Sequence, residues 1–124
     1  MNQTTVDKGR AGEAVAALHL KARGYRILCC NFRVNRYEID LVAKKGDCLV
    51  FVEFKTRKIT QSDIFAHPSR AQTRRLVYAA HAFIKTSNIK AQSCRFDLIR
   101  VLTDKNSVKV ERLEDAFDSS AFLI

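Results

Sequence analysis

Two apolar runs joined by a short polar turn constrain the fold of this chain more than any other feature. Residues 38–44 (EIDLVAK) and 48–55 (CLVFVEFK) are rich in β-branched and aromatic side chains, which favour strands. The Lys-Gly-Asp turn at 45–47 is too short for the crossover that connects parallel strands. The sequence therefore predicts an antiparallel β-hairpin.

The turn leaves two registers open for this hairpin. A two-residue loop of glycine followed by aspartate suits a type II′ turn and places Asp40 opposite Glu53. A loop that begins one residue earlier places Glu38 opposite Glu53 instead. In both registers, strict alternation puts Glu38, Asp40, Glu53 and Lys55 on one face.

The acidic side chains of the hairpin need a positive charge close by. Apolar residues of both parities, such as Leu41 and Val42, predict that both faces of the hairpin are buried. Carboxylates that oppose each other in a buried sheet repel and lose hydration, and one lysine does not neutralise several of them. A divalent cation such as Mg²⁺ or Mn²⁺ does, because it takes carboxylate oxygens as ligands. A metal site on the hairpin is the favoured interpretation, and a solvated charged face is the alternative.

The rest of the sequence predicts a single α/β domain over residues 1–124. Apolar residues at helical spacing, a capping serine and a glycine stop place two helices among five strands. The predicted elements are a helix at 8–23 ending at Gly24, strands at 25–32, 38–44 and 48–55, an irregular segment at 56–68, a helix from Ser69 to about Lys85, strands at 94–102 and 107–112, and a helical turn at 113–118. The order α-β-β-β-α-β-β predicts a sheet that the helices cover.

Each helix has a predicted apolar face. These faces comprise Ala14, Val15, Leu18 and Ala22 on the first helix, and Leu76, Val77, Ala80, Phe83 and Ile84 on the second. Opposite the apolar face of the second helix lies a basic face, formed by Arg70, Arg74, Tyr78, His81 and Lys85. The basic face either follows a phosphate backbone or is an ordinary solvated helix face.

The chain is strongly basic, with a net charge of +9. Residues 1–100 hold 19 Lys and Arg against 8 Asp and Glu, whereas residues 101–124 hold 3 against 5. The excess therefore lies in the body of the domain, which favours nucleic acid as a partner. No apolar run approaches the ~20 residues that span a bilayer, and the N-terminus has no secretory signal, so we expect a cytoplasmic protein without a membrane partner.

Five sequence blocks together resemble a known family. They are GRAGEAVAALHLKARGYRIL, YEIDLVA, VFVEFKTR, CRFDLIRV and EDAF, in this order over nearly the whole chain. An acid on one strand, Glu-X-Lys on the next and a glutamate on the first helix are similar to the PD-(D/E)XK nucleases. Among these nucleases the blocks resemble the YraN-like family, which is related to Holliday-junction resolvases.

The resemblance implies a restriction-endonuclease-like mixed sheet and a metal-dependent endonuclease. Such an enzyme hydrolyses phosphodiester bonds of DNA, with branched DNA such as Holliday junctions as the expected substrate. The alternative is a nucleic-acid-binding module of the same fold without catalytic turnover. Since resolvases act as dimers, the resemblance also implies a homodimer, for which the apolar residues 121–124 offer an interface.

The resemblance assigns roles to individual residues. Asp40, Glu53 and Lys55 match the catalytic trio. Asp40, Glu53 and Glu13 match the ligands of Mg²⁺ or Mn²⁺, and Glu38 is a further candidate. An acid in the first turn of a helix that complements the helix dipole is the alternative for Glu13.

Basic and amide side chains near the proposed site are candidates for binding nucleic acid. Arg57 and Lys58 directly follow the third strand, and Arg70, Gln72 and Arg74 begin the second helix. Gln72 stands where the resemblance expects a lysine, although its amide can still bond a phosphate.

Overall fold

Five strands and two helices make up the part of the chain that the computed structural model describes, which is residues 3–58 and 68–116, with side chains from residue 11 onward. The elements are α1 Gln3–Ala22, β1 Arg26–Val34, β2 Tyr37–Lys45, β3 Cys48–Lys58, α2 Arg70–Ser87, β4 Ser93–Thr103 and β5 Val108–Leu113. The predicted order α-β-β-β-α-β-β is confirmed.

The strands form one mixed sheet in the order β1-β2-β3-β4-β5. β3 and β4 are parallel, with α2 in the connection between them, and the other neighbours are antiparallel. In the hairpin, Lys45 pairs with Cys48 and Leu41 pairs with Val52, which is the first of the two predicted registers. Gly46 has a φ of +58°, as the first residue of a type II′ loop requires.

The helices cover opposite faces of the sheet. The α2 face buries a cluster that includes Ile39, Phe51, Val77 and Phe83. The α1 face buries a second cluster, which includes Leu20, Leu41, Val50, Val52 and Ile99. The hairpin contributes to both clusters, so the prediction that it is buried on both faces is confirmed.

The predicted apolar face of α1 is wrong except at Val15, which packs against the α1 cluster. Gly12, Ala16 and Leu20 are buried against the sheet, whereas Leu18 is 64% exposed. Ala14 is exposed as well. Small residues let the helix approach β3 closely: a Cβ on Gly12 would lie 2.6 Å from Thr56 Oγ1. The buried face is the one whose Gly12 and Ala16 allow the helix to approach β3, and this face leaves Leu18 in solvent.

The second helix forms as predicted from its capping signal. Ser69 is the N-cap, and its hydroxyl accepts from Gln72 N at 3.1 Å while Gln72 Oε1 accepts from Ser69 N at 2.9 Å. This reciprocal pair is a capping box. Leu76, Val77, Ala80 and Phe83 are buried as predicted, whereas Ile84 is 41% exposed and lies outside the apolar face.

Two predicted boundaries are corrected. Residues 56–58 continue β3 because they pair in parallel with β4 as far as Lys58 and Thr103, so they are not irregular. In place of the predicted helical turn, β5 ends at Leu113 and a turn follows in which Asp115 has a φ of +51°. The remainder of the predicted irregular segment, at 59–67, and the apolar residues 121–124 lie outside the described residues.

Neither helix of the described chain has the length and apolar character that crossing a bilayer requires.

Candidate active site

The backbone pairing of the hairpin ends just before the predicted acids meet. The last paired residues of β2 and β3 are Leu41 and Val52, although β2 continues to pair with β1 as far as Tyr37. Beyond this point Asp40 Oδ2 accepts a hydrogen bond from Phe54 N at 3.0 Å. The Asp40 carboxylate therefore takes the place of a backbone acceptor and lies in the gap where β2 and β3 separate.

The side-chain alternation of β2 breaks at the same point. Ile39 packs in the α2 cluster and Leu41 packs in the α1 cluster, although regular alternation would put both on one face. On β1, Asn31 lies between the residues that pair with these two and has a φ of +54°. Asparagine tolerates this left-handed conformation better than most residues. Both strands are therefore distorted where Asp40 lies, as is common beside functional sites.

This break corrects the prediction that the four charged residues share one face. β3 alternates regularly, with Phe51 on the α2 face and Phe54 on the α1 face. Glu53 and Lys55 therefore lie on the same face as Phe51, towards α2. Glu38 precedes Ile39 and lies on the opposite face, towards α1. Asp40 therefore lies in the gap between acids that come from both faces of the sheet.

The environment of Asp40 favours its protonated form. Burial raises the pKa of the Asp40 carboxyl to about 6; the nearby charges of Glu53, Glu38 and Glu13 also raise it, and the hydrogen bond from Phe54 N opposes them. The structure thus brings the other three predicted acids within electrostatic reach of Asp40.

Glu53 is the second perturbed acid. Burial raises its pKa, and the cations Lys55 and Arg75 oppose this shift. Arg75 lies on α2 and is exposed. The sequence analysis missed Arg75 because its neighbour Arg74 fitted the predicted basic face better. Only the packing of α2 onto the sheet brings Arg75 towards Glu53.

Glu13 is held in place by a residue that the sequence analysis did not select. Asn31 Nδ2 donates to both carboxylate oxygens of Glu13, at 3.3 and 3.1 Å. Because α1 begins at Gln3, Glu13 is not in the first turn, and the helix-dipole alternative for Glu13 is wrong. No local sequence signal could have found this contact, since it joins the middle of a helix to a distorted strand.

The remaining predicted site residues are accessible. Glu38 is exposed and pairs with Arg33 at 3.5 Å. Lys55 is exposed. Arg57 and Lys58 are exposed at the end of β3, where alternation points them to opposite faces of the sheet.

The predicted basic face of α2 is exposed to solvent. All five of its members are exposed: Arg70, Arg74, Tyr78, His81 and Lys85. Tyr78 also contacts β2 and the turn before it, because its hydroxyl accepts from Asn35 Nδ2 at 3.0 Å and its ring meets that of Tyr37 edge to face at 5.1 Å. Gln72, the amide predicted to bond nucleic acid, uses its carbonyl oxygen in the capping box.

The acids fit a divalent cation in charge and in donor type. Carboxylate oxygens are the ligands that Mg²⁺ prefers, and a cation would offset both the burial that raises the pKa of Asp40 and Glu53 and the repulsion of Asp40 by the neighbouring acids. In the described part of the chain, however, no three acidic, histidine or cysteine side chains stand close enough to form a ready cation site. Side chains would therefore have to move towards one another to complete the coordination.

A separate cluster of charges surrounds a buried aspartate that the sequence analysis did not assign. Asp97 is 1% exposed and accepts from Arg95 Nε at 2.9 Å, from Arg95 Nη2 at 3.1 Å and from Asp115 N at 2.9 Å. Arg95 and Arg112 also donate to the hydroxyl of Tyr25. These partners satisfy the buried charge, so the cluster has a structural explanation.

Comparison with known proteins places the chain in a family. Residues 12–101 match the family described as "Uncharacterised protein family UPF0102". A UPF0102 protein of Chlorobaculum tepidum is 37% identical over 88% of this chain and 90% of its own length. One from Geotalea daltonii is 39% identical over 89% and 88%, and one from Parabacteroides distasonis is 36% identical over 90% and 92%.

Among solved structures, SfsA of Pyrococcus furiosus in complex with Ca²⁺ matches with a TM-score of 0.42 and 12% identity, over 90% of this chain and 63% of that one. The sequence relatives are far closer and extend over most of both chains. The chain therefore belongs to UPF0102, the YraN-like family of restriction-endonuclease-like fold that its five sequence blocks resemble.

Proposed function

We propose that this protein is a metal-dependent endonuclease that hydrolyses phosphodiester bonds of DNA. The observation that carries the proposal is the position of Asp40, between separating strands and among three other acids, with Lys55 on the adjacent strand. Family membership and the basic charge of the domain support a nuclease. The resemblance to resolvases adds branched DNA as the substrate and a homodimer as the acting form, and the sequence pattern adds the cytoplasm as the place of action.

Each acid has a distinct part in this proposal. Asp40 and Glu53 would hold Mg²⁺ or Mn²⁺, and Glu13 and Glu38 would complete the shell directly or through water. When bound, the cation polarises a non-bridging phosphate oxygen and lowers the pKa of a coordinated water. Asn31 keeps the Glu13 carboxylate oriented through its two hydrogen bonds.

Lys55 and the surrounding cations act on the nucleic acid. Lys55 orients the attacking water or stabilises the negative charge that develops on the phosphate. Arg57, Lys58, Arg70 and Arg74 are exposed around this end of the sheet and bind the flanking phosphates. Such contacts carry affinity that falls steeply with salt concentration.

The test of metal binding needs no substrate. Thermal unfolding is recorded for the wild type and for Asp40→Asn, with and without millimolar Mn²⁺. A ligand at 100 times its dissociation constant stabilises a protein by about 2.7 kcal/mol, so a shift should appear in the wild type and vanish in Asp40→Asn. No shift in the wild type, even in the presence of branched DNA, would contradict the metal-dependent mechanism.

A binding module without turnover is the second candidate. It is favoured by the finding that the acids of the described chain do not form a ready cation site. The two candidates differ in the behaviour of Lys55→Ala. A nuclease loses cleavage in this variant and keeps most of its DNA affinity, whereas a binding module shows no cleavage in the wild type or the variant across linear, flapped and four-way-junction DNA.

A further inference from the structure

A cavity of about 530 Å³ lies between α1 and the sheet, on the α1 face. Its apolar wall is formed by short side chains of α1, β4 and β5, namely Ala11, Val15, Val101 and Val108. Two of its lining residues, Gly12 and Thr56, are the chain neighbours of Glu13 and Lys55. The cavity therefore lies on the face of the sheet that α1 and Glu13 cover, whereas Lys55 points to the opposite face.

The cavity follows from the packing of α1. The helix touches β3 at Gly12, where a Cβ would lie 2.6 Å from Thr56 Oγ1, so the backbones are close at that point. Next to this contact the small side chain of Ala11 leaves space that no side chain of the described residues fills. Val108, at the start of β5, remains 56% exposed at the opening. An apolar concavity of this size falls within the range of ligand sites.

The opening is polar and carries more positive than negative charge. Lys58 and Lys105 contribute two ammonium groups, against the one carboxylate of Asp104. Thr56 and Thr103 add hydroxyl groups that can donate or accept. An occupant that suits this lining has an apolar body, hydrogen-bonding edges and phosphate groups next to it.

We propose that the cavity receives an unpaired nucleobase of the nucleic acid, with Lys58 and Lys105 on the flanking phosphates. A base has flat apolar faces and polar edges, and it reaches a cavity only when it is out of the stack. The identification of the ligand as part of a substrate rests on the function proposed above. The protein then selects nucleic acids that have an unpaired nucleotide over continuous duplex.

The experiment measures binding in EDTA, so that cleavage does not occur and the result is independent of catalysis. The probes are a DNA duplex with one bulged 2-aminopurine and the same duplex fully paired, both labelled for anisotropy. The wild type should bind the bulged duplex at least tenfold more tightly, and the fluorescence of 2-aminopurine should report its transfer into the protein.

Three variants separate the cavity from general DNA binding. Ala11→Leu and Val108→Leu reduce the space, and both positions are exposed enough to keep the fold. Each should lose the preference for the bulge and keep the affinity for paired duplex. Ala14→Leu is the matched control, since Ala14 is exposed on the same helix and does not line the cavity; it should bind as the wild type does.

Three results would overturn the proposal. The first is a wild type that has no preference for the bulged duplex, and the second is a preference that survives both cavity variants. The third is a change in the methyl NMR signals of Val101 and Val108 with octyl phosphate and none with adenosine monophosphate, which would identify a site for aliphatic ligands. Failure of the Mn²⁺ test with a preserved bulge preference would instead reject the metal mechanism and leave the cavity assignment in place.

Discussion

Replacement of Asp40 by asparagine should stabilise the protein at neutral pH. The pKa of Asp40 is about 6 in the folded state against 3.8 for the unperturbed group. At about 1.4 kcal/mol per unit, this difference means that ionisation of Asp40 costs the folded state about 3 kcal/mol. Asparagine has similar size, carries no charge and can still accept the hydrogen bond from Phe54 N.

The sign of the pH dependence follows from proton linkage. Because the pKa is raised on folding, the folded state binds more protons than the unfolded state between the two values. The protonated carboxyl therefore leaves full stability below about pH 4, and the stability falls as the pH rises through about 6. The stability difference between Asp40→Asn and the wild type should be small at about pH 4 and grow to about 1–3 kcal/mol in favour of the variant at about pH 7.

The assay is urea unfolding without divalent metal at a series of pH values. The difference between variant and wild type cancels the titration of all groups that the two proteins share. Asp47→Asn is the control, because it makes the same chemical change on the same hairpin at an exposed turn. It should stay within about 0.5 kcal/mol of the wild type. An Asp40→Asn variant that is less stable than the wild type at every pH, by a constant amount, would refute the reasoning.

Three further predictions concern residues that position the site or hold the fold. Asp97→Asn leaves the guanidinium of Arg95 without its buried charged partner, so chemical denaturation should show that the free energy of unfolding falls by about 3–5 kcal/mol. A decrease below about 1 kcal/mol would show that the fold does not need the charge of Asp97. Gly12→Ala should destabilise the protein by about 1–2 kcal/mol, because the added Cβ would lie 2.6 Å from Thr56 Oγ1. The double variant with Thr56→Ala should recover that loss. A Gly12→Ala variant that is more stable than the wild type would mean that the helix shifts to accommodate the methyl group. Asn31→Ala strains the left-handed backbone and Asn31→Gly does not, so thermal unfolding should show the alanine variant to be less stable than the glycine variant by about 1 kcal/mol. Equal stabilities of the two variants would argue against backbone strain at this position.

Local patterns were enough to predict much of the fold. The short turn limited the hairpin to two registers, because pairing in a hairpin propagates from its turn, and the register with Lys45 opposite Cys48 is the one that forms. The serine before α2 and the glutamine three residues later predicted the start of that helix. Such features depend on residues that are close along the chain, and the sequence displays them directly.

For the candidate site, the sequence predicts which residues take part but not the faces of the sheet on which they lie. Asp40, Glu53 and Lys55 could be selected from the sequence because charges inside apolar strands conflict with burial and demand an explanation. The faces on which they lie could not be predicted, since the alternation of β2 changes between Ile39 and Leu41 without any sequence signal.

Tertiary structure decided the rest, because the groups concerned meet only after distant segments pack together. Hydrophobic periodicity chose Leu18 for the buried face of α1, but the close approach to β3 required Gly12 and Ala16 and left Leu18 in solvent. The contact of Asn31 with Glu13 and the influence of Arg75 on Glu53 each join a helix to a strand that lies far from it in the sequence. By itself the sequence determined the order of the elements, the presence of the hairpin and the acids of the site, through local backbone preference and the cost of burying charge. Only the three-dimensional packing determined which side chains orient those acids and where a cavity opens, since both depend on distances between segments that no local pattern encodes.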